Sequence, residues 1–286
     1  MMRLATHALV VAIALALGAC ASSKPEAPAA NAAVQSAKAL EIRAARAFVQ
    51  GDLERALKDF DTAAAVYASL ALTDAYAQAQ LNSARVLADS GQAAQAQARV
   101  LAVLAWPEPL SPSVRTTAHG RAAALALQAG DFPQTAIQLA SAQAVCGKTC
   151  EQSGALAVLA ARLHLAQGNA ALALAAAQQA LAWSPKAEST GAKENAAQSQ
   201  AQAGHANALR VRAQAYAGLQ NHRAALADAQ AALALDQALG FAARVALDLQ
   251  LMAAAQQALG LADAAKRSAT LAEQSLAAAR SLKGKE

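Results

Sequence analysis

Aromatic residues are nearly missing: Phe, Trp and Tyr make up 3% of the 286 residues. Without them there are few platforms on which bases could stack, which argues against single-stranded nucleic-acid binding. Charge of one sign is not concentrated anywhere. The 24 Lys and Arg and 19 Asp and Glu are interspersed, and the formal net charge of +5 forms no basic block, so the electrostatic footprint of a nucleic-acid binder is lacking too. β-Branched residues are few, which disfavours sheet. Three cysteines are too few for a disulfide-dense scaffold. The histidines beyond residue 19, His119, His164, His205 and His222, stand singly, and each reads as a helix-surface or turn residue rather than a ligand or base. No paired-histidine zinc motif, nucleophile elbow or phosphate loop occurs. The expectation is a non-enzymatic protein with no cofactor and no metal.

Residues 1–19 read as a secretory sorting signal. Arg3 supplies a positive start, Ala8 to Leu17 is uncharged and apolar, and Gly18-Ala19 are small residues suited to cleavage. The apolar segment is too short to span a bilayer. Leu17-Gly18-Ala19-Cys20 resembles the lipobox of bacterial lipoproteins. That resemblance implies that residues 1–19 are removed and that Cys20 becomes the acylated first residue. Several acyl chains anchor firmly, each buried methylene contributing about 0.8 kcal/mol. Ala21 and Ser22 follow, where an aspartate tends to retain members of that family in the inner membrane. The resemblance therefore implies the periplasmic face of the outer membrane. Residues 20–37, with Pro25 and Pro28 and no apolar periodicity, are expected to form a flexible tether, reaching on the order of 50 Å when extended. The best later candidate for a span, Leu163 to Trp183, is interrupted by Gln167, Gly168, Asn169, Gln178 and Gln179.

What is abundant is alanine, the strongest helix former and a residue that buries little area. Close helix–helix approach with small side chains at the contacts is the expected packing. One pattern recurs six times: a turn residue, then small or apolar residues five, nine and twelve positions later. It reads Gly51, Ala56, Phe60, Ala63; Gly91, Ala96, Val100, Val103; Gly130, Thr135, Leu139, Ala142; Gly168, Ala173, Ala177, Ala180; Gln220, Ala225, Ala229, Ala232; and Gly260, Ala265, Ala269, Ala272. Each unit describes a helical hairpin whose first helix ends at the turn residue. A hairpin cannot bury its apolar face alone, so the units must stack.

These residues resemble the tetratricopeptide repeat (TPR), most clearly at Gly51 to Ala63, at Gly168 to Pro185, and at Tyr216 to Ala232 with Ala213. The resemblance implies an all-α solenoid of about six TPR-like helix-turn-helix repeats over residues 38–286. Two departures stand out. The turn residues 51, 91, 130, 168, 220 and 260 are separated by 40, 39, 38, 52 and 40 residues, against about 34 for the family. Most large aromatic positions are also alanine. The wide interval comes from a polar insertion, about 186–206, readable as a mobile loop or a helix extension. "WPEPLSPSV", Trp106 to Val114, predicts an ordered bend between the second and third repeats.

Cys146 and Cys150 lie in "VCGKTCEQS". Gly147 reads as a helix terminator, and Thr149 with Gln152 as a capping box opening the next helix. With Cys20 acylated and the compartment oxidising, the pair is expected to form a structural disulfide, stabilising by about 2 kcal/mol in the chain-entropy description. Placed on the repeat, Arg85, Arg162, Asn207, Arg210 and Gln214 fall on or near the concave face formed by the first helices. In the family such positions hold extended peptides or their terminal carboxylates, which suits guanidinium donors. The expected partners are other envelope proteins or peptides, with the membrane engaged through the N-terminal lipid and no nucleic acid. The expected function is a protein-interaction scaffold in cell-envelope assembly; the alternative is a regulator of peptidoglycan enzymes or a binder of small cell-wall fragments.

Overall fold

The computed structural model describes residues 32–183 and 196–283. The signal, Cys20, most of the tether and the first part of the insertion lie outside them. Among the described residues there are twelve helices and no strand. They are α1 (Ala32–Gln50), α2 (Leu53–Ser69), α3 (Thr73–Asp89), α4 (Ala93–Leu104), α5 (Pro112–Gln128), α6 (Phe132–Cys146), α7 (Ser153–Ala166), α8 (Ala170–Trp183), α9 (Ala196–Gly218), α10 (His222–Ala238), α11 (Ala242–Ala258) and α12 (Ala262–Lys283). They pair as six hairpins, each odd helix with the even one after it, and the hairpins stack in chain order.

A two-residue device makes every hairpin. The first residue turns left-handed and ends the odd helix; the second leads into the even one. Gly168 has φ 77° with no atom within 4 Å of a hypothetical Cβ, so only the backbone conformation demands glycine there. Gln220 occupies the same place in the fifth hairpin at φ 60°, a conformation that costs an L-residue roughly 1–2 kcal/mol. The next residue caps: Asp52 accepts from Arg55 N at 3.0 Å, Asp131 from Gln134 N at 2.9 Å, and Asn221 from Ala224 N at 3.2 Å. Gln220→Gly should therefore stabilise by about 0.5 kcal/mol and Gly168→Ala should destabilise by about 1 kcal/mol. Urea midpoints for the two variants, shifted in opposite directions, would verify this.

The long repeat period resides in the helices. Five of them run 17 residues, and α9 runs 23. Residues 196–206 of the insertion are the first part of α9, so that portion is a helix extension. Residues 32–37, expected to belong to the tether, are helical. α1 begins at Ala32, and Ala37 is fully buried against the cluster of Ala63, Ala64, Tyr67 and Ala79. Its alanine-rich start carries enough helix preference to join the first hairpin once α2 covers it.

The bend after α4 is ordered, and it stops at Ser111 because Pro112 is already in α5. Trp106 packs on Tyr76 with ring centroids 5.1 Å apart. Thr73 Oγ1 donates to Glu108, and Ser111 N donates to Asp74 Oδ1, both at 3.0 Å. These contacts tie the bend to the start of α3.

The predicted small residues are the contact positions. Ala56, Ala63, Ala96, Ala173, Ala177, Ala180, Ala229 and Ala232 are completely buried. The sixth unit differs. Ala269 is exposed and Ser268 is buried instead, donating to Gln256 Oε1 at 2.8 Å. No described helix covers that side of α12, so the outward alanine has nothing to pack against.

Gly147 ends α6 at φ 70° as expected, but the capping box does not form. α7 opens at Ser153 and Gln152 makes no side-chain cap. Ser153 instead closes a reciprocal turn, its Oγ accepting from Cys150 N at 2.9 Å and its N donating to Cys150 O at 3.1 Å.

Candidate functional site on the inner face

The odd helices α3, α5, α7, α9 and α11 touch one another across successive hairpins, whereas even helices do not pack together to a comparable extent among the described residues. Elements on the tighter curve of a solenoid approach more closely, so the odd helices line the inner face. Each of these five places one arginine in a shared electrostatic cluster: Arg85 on α3, Arg121 on α5, Arg162 on α7, Arg210 on α9 and Arg244 on α11.

Of the residues expected at this face, Arg162 and Asn207 meet directly. Arg162 Nη2 donates to Asn207 Oδ1 at 2.6 Å, a contact between the fourth and fifth hairpins. Arg162 remains open to water although protein surrounds it, as on the floor of a groove. Arg85 is half-buried, with its guanidinium 4.5 Å above the Phe48 ring of the first hairpin. Gln214 is exposed one turn beyond Arg210 on α9.

Arg210 is not an open groove residue. It is buried and consumed internally: Nε and Nη2 donate to Asp248 at 2.7 and 3.1 Å, and Nη2 also bonds Asp236. Both carboxylates are completely shielded from solvent. Sequence spacing placed Arg210 on the correct face, but the acids that take it up are 26 and 38 residues away. Burial and the adjacent Asp236 push the Asp248 carboxyl up to about 6, and burial raises Asp236 as well.

Arg121 and Arg244 were not anticipated. Arg121 sits nine residues before its turn glycine, whereas Arg85 and Arg162 sit six before theirs. Arg244 lies near the start of α11, a turn that exists only because this helix is long. The available signal was simpler: α3, α7 and α11 each contain a single arginine. Burial pushes all four of Arg85, Arg121, Arg162 and Arg244 below the ordinary guanidinium value, Arg121 down to about 10. Mutual repulsion adds to this, between Arg85 and Arg121, and between Arg244 and each of Arg85, Arg162 and Arg210.

Elsewhere, His119 Nδ1 contacts Gln138 Oε1 at 2.8 Å, and burial lowers His205. Among the described residues no group of three or more His, Cys, Asp or Glu could hold a metal ion, and no helix is long and apolar enough to cross a membrane. Cys146 and Cys150 lie with Cα atoms 5.4 Å apart and their sulfurs together, a geometry a disulfide spans.

No protein-family model and no curated protein sequence matches the chain. Solved structures do. BtubC (BKLC) from P. vanneervenii superposes with a TM-score of 0.57 at 15% identity, over 87% of this chain and 92% of that one. Cut9, in the Cut9–Hcn1 hetero-tetramer of the APC/C, gives 0.62 at 15% identity, over 88% of this chain and 43% of Cut9. The fold is a TPR-like α-solenoid. At such low identity the likeness extends to the architecture and stops there. That architecture accounts for the odd helices lying inside, and thus for the arginines meeting there.

Proposed function

We propose that this protein is a lipid-anchored envelope scaffold whose inner face holds segments of other proteins. The observation that carries the reading is the row of polar side chains on that face, drawn from three odd helices: half-buried Arg85, exposed Arg162 with half-buried Asn207, and exposed Gln214. Such a row meets an extended partner at several points, and guanidinium groups suit its carboxylates. In this reading Cys20 carries the lipid on the periplasmic side of the outer membrane, the tether sets the reach, and Cys146 and Cys150 are oxidised. No step of chemistry is assigned to the solenoid.

A photo-crosslinking side chain at Gln214, in the full exported protein, tests the reading. Discrete crosslinked partners are expected, and Arg85→Gln with Arg162→Gln should reduce them at least tenfold while helix content is unchanged. Crosslinks that persist undiminished would remove the inner face as the docking surface. Intact mass of the same preparation should show acyl chains on Cys20 and two fewer hydrogens at the cysteine pair. An unacylated Cys20 or two free thiols would refute those parts separately.

A further inference from the structure

Four guanidiniums from separate hairpins gather on the inner face with fewer acids than cations. Among the described residues, Arg85, Arg121 and Arg162 have no carboxylate within 4 Å. Arg244 stands 4.0 Å from Asp236 Oδ1, beyond hydrogen-bond reach, while Arg210 takes Asp236 Oδ2. Asp89 attracts Arg85 and Arg121 from farther off and offsets part of the excess. Arg121 Nε is buried with no hydrogen-bond acceptor. A buried cation left in this condition is costly, and proteins normally pair it.

Two members rest over aromatic rings. Phe48 carries Arg85 and Phe241 carries Arg244, each guanidinium 4.5 Å from the ring centroid. A guanidinium held over a ring retains N–H groups that an oxyanion can accept from. Although α3 and α11 belong to the second and sixth hairpins, Arg85 and Arg244 are near enough to repel each other. Side chains of the second and sixth hairpins thus share one electrostatic neighbourhood. A single carboxylate occupies one guanidinium fork and leaves the others unmatched.

We propose that Arg85, Arg121 and Arg244, with Arg162 at the edge, form a binding site for a compact, multiply charged oxyanion: a small molecule bearing two or more phosphate or carboxylate groups. Such a ligand supplies the acceptor that Arg121 Nε lacks and cancels repulsion among hairpins two, three, four and six. The proposal stands independently of any protein partner on the same face.

Isothermal titration of the full protein with tripolyphosphate, and in parallel with citrate, tests it. Saturable one-to-one binding of at least one of them is expected, weakening as salt rises. The tighter of the two identifies phosphate or carboxylate as the recognised group. Arg121→Gln and Arg244→Gln should each weaken binding about tenfold or more, whereas Arg55→Gln, on the exposed start of α2, should not. Without ligand, Arg121→Gln should melt no lower than the unaltered protein, since it removes an unpaired buried charge. Absence of saturable binding by both anions would overturn the site. So would binding that Arg121→Gln and Arg244→Gln leave intact, or that Arg55→Gln weakens equally. Crosslinking from Gln214 reads the scaffold proposal separately, so either can fail without the other.

Discussion

Arg210→Met should lower stability by about 3–5 kcal/mol, the usual consequence of removing one partner from a buried ion pair. The change strands Asp236 and Asp248, both fully shielded, beside each other with no bidentate cation. Methionine fills most of the volume, so the loss measures uncompensated charge rather than a cavity. Because repeat arrays lose stability locally, hydrogen exchange should show the largest fall in α9, α10 and α11. A uniform small decrease, or none, would show that the triad contributes little.

The same triad sets a pH dependence with a definite sign. A carboxyl raised in the folded state binds more protons there than in the unfolded chain between the ordinary value and the raised one. For Asp248, at about 6 against 3.8, stability from this group should fall as pH rises from about 4 to about 6 and stay level above that. Burial raises Glu41 in the same sense. His205, lowered by burial, acts oppositely, gaining stability as pH rises through its window. Asp248→Asn isolates the effect: the melting temperature of the variant should lose the part of the slope between pH 4 and 6 that Asp248 supplies.

Leu81→Ala should cost about 2–5 kcal/mol. Leu81 is fully buried where α3 meets α4 and α5, with Val100, Val103 and Val114 around it. This is the aliphatic centre of the array, and few other buried side chains are as large. Around α7, α8 and α9 the equivalent cluster is mostly alanine, Ala157, Ala161, Ala177, Ala180 and Ala208, with Val158 and Val211. There the helices approach closely: a Cβ on Gly218 would come within 2.9 Å of Ala170 Cβ. Placing at Ala177 the aromatic that Phe60 supplies at the matching position of the first unit should therefore destabilise, Ala177→Phe costing about 1–3 kcal/mol. Chemical unfolding of both variants, with Ala177→Phe at or above the stability of the unaltered protein, would contradict the close-approach account.

The period and the turn devices were readable because they are local. Gly51, Gly91, Gly130 and Gly168 announce themselves by φ requirements that no distant contact alters, and even Gln220 was recognisable from its place in the pattern. The helix extension at 196–206 and the early start of α1 were not settled by composition, since alanine-rich chain folds into helix only when a neighbour covers it. The inner arginines divided along the same line. Arg85 and Arg162 follow the repeat register, while Arg210 is neutralised by residues one and two helices away, which no spacing rule contains. Arg121 and Arg244 fall off that register, nine and sixteen residues before their turn glycines.

The Arg210 triad joins three helices, α9, α10 and α11, and so binds the fifth hairpin to the sixth. Among successive helices, α6 and α7 share the least contact. A stacked array of this kind bends as a series of springs, and here the springs are unequal. The triad ties the last two hairpins together, and bending is expected to be greatest where contact is sparsest, between α6 and α7 beside the two cysteines.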